Sequence, residues 1–166
     1  CDTADTAQIR RVMTLGRASV LMIGVWHAAG VLADGLLPRQ TAQALARVYA
    51  PKAHGASSLH AACAMSTMHT YALFSSVAAL LGGAGQANYS AANSSLDALA
   101  SCRRERSQAA ASVQWGAWAE VGMAARGAAA ERMAAIEAAS GFGRIGLAHG
   151  LGALHAAVQP QASPLL

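Results

Sequence analysis

Lysine is almost missing from this sequence: its 166 residues include eleven arginines but a single lysine, Lys52. Aromatic residues are also scarce, at 5%, and charged residues make up 12%, whereas 54% of the chain is apolar and much of that is alanine. So few charges exclude a disordered chain, and alanine favours close helix packing over a core of bulky side chains. The composition predicts one compact globular domain of the α/β or α class.

Paired cysteines and clustered metal ligands are missing as well. Cys1, Cys63 and Cys102 form no C-x-x-C pair, which disfavours a disulfide framework and a zinc site and indicates a reducing, cytoplasmic compartment. The six histidines are scattered and do not converge with carboxylates, so no metal is expected. His54 and His60 are predicted to be ordinary helix residues.

No apolar run is long enough to span a membrane, and no signal peptide opens the chain. The formal charge of +4 includes only one short basic cluster, Arg103, Arg104 and Arg106. We interpret this cluster as a solvated helix end that the helix dipole favours, with contact to an acidic carrier protein or a phosphate as the alternative. Neither a membrane nor a nucleic acid is therefore predicted as a partner. The chain also lacks an initiator Met, which suggests a segment of a longer polypeptide.

Two common glycine motifs are absent. No G-x-G-x-x-G follows a strand near the N-terminus, and Gly82-Gly83-Ala84-Gly85 does not fit that pattern. No G-x-S-x-G surrounds a serine, which disfavours acyl hydrolysis.

The elements that are present alternate. Buried strands are predicted over Ser19–Trp26, Thr70–Ser75 and Ser112–Trp115, and helices over Thr6–Leu15 (ended by Gly16), Thr41–Ala64 (with a second segment from Pro51), Asn88–Arg106, Ala128–Ala139 and Leu147–Val158. This order predicts an α/β fold with a doubly wound parallel sheet. Loops His27–Gly30, Ser75–Gly85 and Trp115–Gly122 would then gather beyond the C-terminal ends of the strands, where such sheets bind ligands.

A few polar residues near these loops are candidates for chemistry. Tyr89 and Asn93 lie at i and i+4 on one helix face, although a tyrosine at the edge of the core would look the same. Ser75 and Ser76 end a strand, where a hydroxyl often bonds local backbone instead. Lys52 would favour the phenolate of Tyr89 and so lower its pKa, which suits proton donation to a ketone oxygen.

Several motifs in order resemble the ketoreductase domains of modular polyketide synthases, a branch of the short-chain dehydrogenase/reductases. They are His27-Ala28-Ala29-Gly30-Val31-Leu32, Pro51-Lys52-Ala53-His54-Gly55-Ala56, Phe74-Ser75-Ser76-Val77-Ala78, Gly85 to Asn93 (GQANYSAAN), Leu96 to Ala100 (LDALA) and Trp115 to Ala124. The resemblance covers nearly the whole chain and implies a Rossmann-like sheet.

The resemblance also implies residue roles. Tyr89 would donate the proton, Ser76 would bond the substrate carbonyl, Lys52 would bind the nicotinamide ribose, and Asn93 would hold the proton relay. Most short-chain reductases have a lysine four residues after the tyrosine; here Asn93 takes that place, as in synthase ketoreductases. Cofactor contacts are implied for Asp2, Thr3, His27, Ala28, Ala29, Gly30, Lys52, Tyr89, Trp115 and Gly116, and substrate contacts for Leu81, Asp34, Gln86 and Met123.

By this resemblance the chain reduces a β-ketoacyl thioester with NADPH, in polyketide or fatty acid synthesis. The partners implied are an acyl carrier protein with its phosphopantetheine-linked substrate and the other synthase domains. Residues 1–166 are expected to be one partial domain without its N-terminal phosphate-binding loop, with residues 125–166 as its C-terminal helices and tail. Such a fragment is expected to be inactive and to bind NADPH poorly by itself.

Three points stay open at this level. One stereochemical class resembles Leu-Asp-Asp after the HAAG turn, of which Leu32-Ala33-Asp34 keeps one acid, while the other class has tryptophan where Leu81 stands; the sequence leans to the first. A freestanding short-chain reductase acting on a small ketone or alcohol is the alternative enzyme. A structural segment of a megasynthase without catalysis is the alternative outside the enzyme class.

Overall fold

The computed structural model describes residues 1–19, 22–122, 137–138, 141 and 143–159. Its helices and strands, in chain order, are α1 (Thr6–Ser19), β1 (Gly24–His27), a 3-10 turn (Leu37–Arg39), α2 (Ala42–Tyr49), a π-helical turn (Ala50–His54), α3 (Gly55–Ala62), β2 (Thr70–Ser76), α4 (Ala78–Leu81), α5 (Ala87–Glu105), β3 (Ala111–Trp115) and α6 (Leu147–Ala157). In the described part of the chain, no helix combines the length and apolarity needed to cross a bilayer.

The strands form one sheet in the order β1-β2-β3. β1 and β2 are parallel, with Gly24 opposite Thr70 and His27 opposite Leu73. Since β1 and β2 both end at the same edge of the sheet, the loop after His27 and the loop after Ser76 begin close together. The parallel sheet with flanking helices confirms the predicted α/β class.

The core of the first unit, Cys1–Gln114, lies between the sheet and the helices. Ile9 and Met13 of α1 pack in one cluster with Tyr71 and Leu73 of β2 and Leu96 of α5. Alanine also contributes to the core: Ala56 of α3 and Ala92 and Ala100 of α5 are fully buried. Alanine thus fills core positions as predicted, but together with the larger side chains of the cluster.

The long predicted helix over Thr41–Ala64 is divided by a π-helical turn. Thr41 caps α2 by accepting a hydrogen bond from the Ala44 N–H at 3.1 Å. Pro51 has no N–H to continue the α-helical hydrogen bonding, and the Gly55 N–H instead reaches back to the carbonyl of Ala50. Proline therefore marks the division that the sequence predicts, but as a turn of π-helix and not as a new helix start.

Several predicted boundaries were wrong. α1 continues through Gly16 to Ser19, because an isolated glycine inside a helix weakens the helix without having to end it. The first strand starts at Gly24 rather than Ser19. The 3-10 turn and α4 were not predicted, and the helix predicted over 128–139 lies outside the described residues except 137–138.

The sequence predicts that the first strand is buried on both faces, and this prediction was wrong. Val25 and His27 are buried, whereas Trp26 is 59% exposed and Ile23, just before the strand, is 56% exposed. Side chains alternate along a strand, so Trp26 lies on the face opposite to Val25 and His27, and within the described residues that face is open to solvent.

The basic cluster at the end of α5 is only partly solvated. Arg104 and Arg106 are exposed as predicted, but Arg103 is 4% exposed. Its guanidinium carbon lies 3.9 Å from the ring centroid of Tyr71. Arg103 also donates to the Ala109 carbonyl at 3.1 Å, and its NH1 lies 2.7 Å from His60 Nδ1. The prediction of a solvated Arg103 was wrong, because the sequence does not reveal its aromatic partner on β2. His60 lies in α3, as predicted, and there it pairs with Arg103.

The second unit, Trp115–Leu166, is organised around Trp118. Trp118 and Ile145 form a parallel bridge, and the Trp118 ring packs 5.0 Å from the ring of Trp115. A Cβ atom added at Gly150 of α6 would collide with the Trp118 indole. Glycine at position 150 thus permits the close packing of α6 on this ring.

Candidate active site

The end of β2 directs its two serines to different surroundings. Ser75 is 4% exposed and donates to the Asn93 carbonyl at 3.3 Å, so its hydroxyl fastens β2 to α5. Ser76 is half-buried and accepts from the Ala78 N–H at 3.2 Å, and its side chain acts to lower the pKa of the neighbouring Tyr89. Because side chains alternate along a strand, only the second serine of the pair is placed beside the phenol.

Lys52 extends from the π-helical turn into the same region. It is 3% exposed, and its ammonium donates to the Phe74 carbonyl at 3.0 Å. The same Nζ lies 5.4 Å from the ring centroid of Tyr89, within the range of a cation–π contact. The lone lysine and the candidate tyrosine are therefore neighbours in space, although 37 positions separate them in the chain.

The turn after β1 holds Lys52 in place. The buried His27 ring lies with Nε2 3.1 Å from the Lys52 carbonyl. A Cβ atom at Gly30 would come within 2.9 Å of Lys52 Cε, so glycine leaves the space through which the lysine stem passes. The predicted His27 to Gly30 loop is thus packed on Lys52, and the His27 side chain faces the protein interior.

α5 supplies Tyr89 and Asn93. The Asn93 side chain is fully buried and its Nδ2 donates to the Tyr89 carbonyl at 2.8 Å. Its Oδ1 is buried and has no hydrogen-bond partner within the described residues. A buried amide oxygen without a partner is uncommon, and it offers an acceptor to a small polar group next to Tyr89.

The pKa values of the two titratable groups move in opposite senses. Burial lowers the pKa of Lys52 to about 8, against the opposing charge of Asp97. Burial raises the pKa of Tyr89, while hydrogen bonds with Asn93 and Ser76 act to lower it. The predicted lowering of the tyrosine pKa by Lys52 is not found: burial is the larger effect. Tyr89 therefore keeps its proton at neutral pH, as a proton donor must.

Two loop segments, Asp34–Gly35 and Gly85–Gln86, lie beside Tyr89 and are called the rim of the site. Gln86 Nε2 donates to Asp34 Oδ2 at 3.3 Å, and the Gly35 N–H donates to the Gly85 carbonyl at 2.8 Å. Asp34 and Gln86, both predicted to bind substrate, are thus brought together. Leu81 ends α4 and is 64% exposed.

The structure does not bring the other predicted site residues together with Lys52, Ser76, Tyr89 and Asn93. Asp2 is exposed and accepts from the Ala4 N–H at 2.9 Å. Thr3 donates to the Pro51 carbonyl at 3.1 Å, one residue before Lys52. Trp115 and Gly116 belong to the second unit, and Met123 lies outside the described residues. No group of His, Cys, Asp or Glu able to hold a metal occurs in the part of the chain that the structure describes.

Sequence reasoning missed two contributors to the site. Phe74 binds Lys52 through its carbonyl, which no sequence pattern can reveal. Asp97 acts on Lys52 through its charge, and its carboxylate accepts from Ser112 Oγ and Gln114 Nε2. An acidic residue one helical turn after Asn93 was the available signal for Asp97.

A model of the family described as "KR domain" matches residues 1–120. This chain belongs to the KR domain family. The predicted resemblance to polyketide synthase ketoreductases is thereby confirmed.

Curated relatives of this KR segment are large synthases. It is 45% identical over 122 residues to the polyketide synthase GfsA of Streptomyces halstedii, covering 74% of this chain and 2% of that protein. It is 43% identical over 122 residues to the phthioceranic/hydroxyphthioceranic acid synthase of Mycobacterium tuberculosis (strain CDC 1551 / Oshkosh), covering 73% of this chain and 6% of the synthase. The chain thus spans only a few per cent of such relatives.

Solved structures agree with the fold. An A-type ketoreductase from a modular polyketide synthase matches with a TM-score of 0.86 and 35% identity, over 93% of this chain and 32% of that one. The ketoreductase from the first module of phoslactomycin biosynthesis in Streptomyces sp. HK803 matches with a TM-score of 0.86 and 33% identity, over 98% of this chain and 37% of that one. A short-chain dehydrogenase from Mycobacterium avium shares the fold at a TM-score of 0.55 and 21% identity, over 60% of this chain and 38% of that one. The sheet is therefore a partial Rossmann-like fold of the short-chain dehydrogenase/reductase type.

Proposed function

We propose that this KR segment is the catalytic half of an NADPH-dependent reductase that converts a carrier-bound β-ketoacyl thioester into a β-hydroxyacyl thioester. The observation that carries the proposal is the position of the Lys52 ammonium 5.4 Å from the centroid of the Tyr89 ring. Ser76 acts on the pKa of the same tyrosine, and Asn93 donates to the backbone carbonyl of Tyr89. A ketone oxygen placed between Ser76 and Tyr89 would meet two hydroxyl donors.

The chain's own residues fit a nicotinamide cofactor at this place. The Lys52 ammonium is a donor for ribose hydroxyls, and Gly30 keeps the loop close to the lysine stem. The buried, unpartnered Oδ1 of Asn93 provides an acceptor for a relay group. When bound, the reduced nicotinamide supplies the hydride to the ketone carbon.

The protein supplies the proton and the orientation. Ser76 would donate a hydrogen bond to the ketone oxygen, and Tyr89 would transfer its phenolic proton to that oxygen as the C–H bond forms, which leaves an alcohol and a phenolate. The raised pKa of Tyr89 keeps it protonated before the step. The ammonium of Lys52, 5.4 Å from the ring centroid, stabilises the phenolate that follows.

This role implies an assembly. We propose that the chain is part of one ketoreductase domain whose N-terminal cofactor half precedes it in a cytoplasmic synthase, and that its substrate arrives on the phosphopantetheine arm of an acyl carrier protein. The coverage of long synthases by a short segment supports this proposal. Asp34, held by Gln86 on the rim, supports the first of the two stereochemical classes.

The test joins this chain to an intact N-terminal cofactor half of a related ketoreductase and follows NADPH oxidation with a β-ketoacyl pantetheine thioester. Tyr89→Phe should lower turnover by about 10²–10⁴-fold while circular dichroism stays unchanged. Tyr49→Phe is the matched control, since Tyr49 lies on α2 and contacts only the His54 ring among aromatic groups described.

The outcomes separate the candidates. Turnover of pantetheine thioesters well above that of a small free ketone supports the synthase reductase, and the reverse preference supports a freestanding reductase. A folded fusion that binds NADPH but turns over neither substrate would support a structural segment. Equal turnover by Tyr89→Phe and Tyr49→Phe would refute the assigned proton donor.

A further inference from the structure

Asn88 is a buried polar residue that the proposed chemistry does not use. It stands directly before Tyr89 in the first turn of α5 and is 3% exposed. A buried amide must find partners for its donor and its acceptor. Here Nδ2 donates to the Ala33 carbonyl at 2.8 Å and Oδ1 accepts from the Tyr89 N–H at 2.8 Å. Both ends of the side chain are therefore engaged.

The Tyr89 N–H needs such a partner. The first N–H groups of a helix have no acceptor within the helix, and in α5 the bond from the Ser90 N–H to the Gln86 carbonyl comes one residue after Tyr89. Gln86, at the helix start, makes no side-chain capping bond. Asn88 thus supplies from inside the first turn the acceptor that a capping side chain usually supplies.

The other end of Asn88 reaches the loop that follows β1. Ala33 lies 55 positions away in the chain, so the bond from Asn88 Nδ2 ties two distant segments together. Two further contacts join the same segments, Gly35 N–H to the Gly85 carbonyl at 2.8 Å and Gln86 to Asp34 at 3.3 Å. The Gln86 bond is exposed, whereas the Asn88 amide is buried, and buried hydrogen bonds cost more to break.

We propose that Asn88 is a positioning residue: it fixes the Tyr89 backbone to the Ala33–Gly35 segment, and so sets the phenol against the substrate held by the rim. The inference rests on the proposed reductase function, because only a reacting ketone requires this register. A displacement of about 1 Å between reacting groups lowers rate by about 10²-fold. Loss of the tie should therefore affect the chemical step more than cofactor binding.

The experiment uses the full-length native polypeptide that contains this chain, with Asn88→Ala and Asn88→Asp. The aspartate keeps an acceptor for the Tyr89 N–H but loses the donor to the Ala33 carbonyl. The aspartate variant provides the test if the alanine variant does not fold. We expect kcat with a β-ketoacyl pantetheine thioester to fall about 10- to 100-fold, with the KM for NADPH changed less than about twofold. Hydrogen exchange of the 31–36 peptide should become faster in both variants.

A matched control is Ser95→Ala, which removes a hydrogen bond to the Ala91 carbonyl within α5 and, among the residues that the structure describes, no hydrogen bond outside the helix. It should change neither kcat nor exchange at 31–36. If Asn88 variants keep the parent's kcat per folded molecule while only the melting temperature falls, the role is structural and the inference fails. If the parent reduces no ketone, the proposed function fails instead. Hydrogen exchange then tests the link between Asn88 and Ala33 by itself, and unchanged exchange at 31–36 in the Asn88 variants would overturn the inference.

Discussion

Lys52 shows how burial and charge together set the chemistry of one residue. Its ammonium is almost wholly enclosed, which lowers its pKa to about 8, and the charge of Asp97 acts in the opposite direction. Asp97 is itself held by Ser112 and Gln114 of β3. Reductase activity should depend on the protonated lysine, because only the cation stabilises a phenolate at Tyr89.

This balance predicts a pH dependence. Since the protonated form is required, kcat/KM should fall as pH rises through about 8, the pKa of Lys52. Asp97→Asn removes the charge that raises this pKa, so the alkaline fall should move to lower pH. A pH–rate profile of the fusion enzyme measures both. An alkaline fall that Asp97→Asn leaves in place would show that another group titrates.

Arg103 predicts a contrast between neighbouring arginines. Arg103→Lys loses the planar guanidinium over Tyr71 and the bond to the Ala109 carbonyl, so it should lower the free energy of unfolding by about 1–3 kcal/mol. Arg104→Lys, at an exposed position, should change it by less than about 0.5 kcal/mol. Urea denaturation of the full-length polypeptide compares them. Equal effects would mean that the buried contacts do not stabilise the fold.

At the scale of elements, the structure differs from the sequence pattern where a helix is irregular or a partner is distant. The strand of Thr70–Ser76 and the helix of Ala87–Glu105 follow the predicted pattern within a residue or so, because apolar periodicity reports the face that each buries. The π-helical turn at Ala50–His54 has no signature in the apolar pattern of the sequence, because a single turn with one extra residue hardly changes the spacing of apolar residues. Pro51 was its one visible sign.

Helix α6 gives a prediction with an internal control. Gly150→Ala gains about 1 kcal/mol of helix propensity, but its methyl group meets the Trp118 indole, and overpacking costs about 1–3 kcal/mol. Gly152 has nothing within 4 Å of an added Cβ, so Gly152→Ala in the same helix should stabilise α6. Hydrogen exchange of the α6 amides should be faster in the first variant and slower in the second.

At the scale of the molecule, the exposed apolar side chains at β1 mark a surface that another segment is expected to cover. Trp26 and Ile23 are both more than half exposed beside an edge strand, and large apolar groups in such a place usually mark a contact. The missing phosphate-binding glycines predict, from the sequence alone, that such a surface exists, because they imply that part of the domain lies outside this chain. The sequence could not predict which residues are left uncovered, because that depends on which face of β1 the helices cover.

The fusion tests this incompleteness directly. Joining the N-terminal cofactor half should bury Trp26, so the tryptophan fluorescence of the fusion should be blue-shifted relative to the 166-residue chain, and Trp26→Phe should remove most of the difference. The isolated chain should bind NADPH much more weakly in calorimetry. Tight binding by the isolated chain would contradict the proposed division of the domain.

The π-helical turn has a consequence for comparing this chain with other reductases. A π-helical turn holds one residue more than an α-helical turn, so deleting one residue from Ala50–His54 would leave a regular helix in which the following segment keeps its orientation relative to α2. An alignment with any protein whose corresponding helix is regular must therefore open a one-residue gap at this point. An alignment without that gap would pair Lys52 with a residue on a different side of the helix.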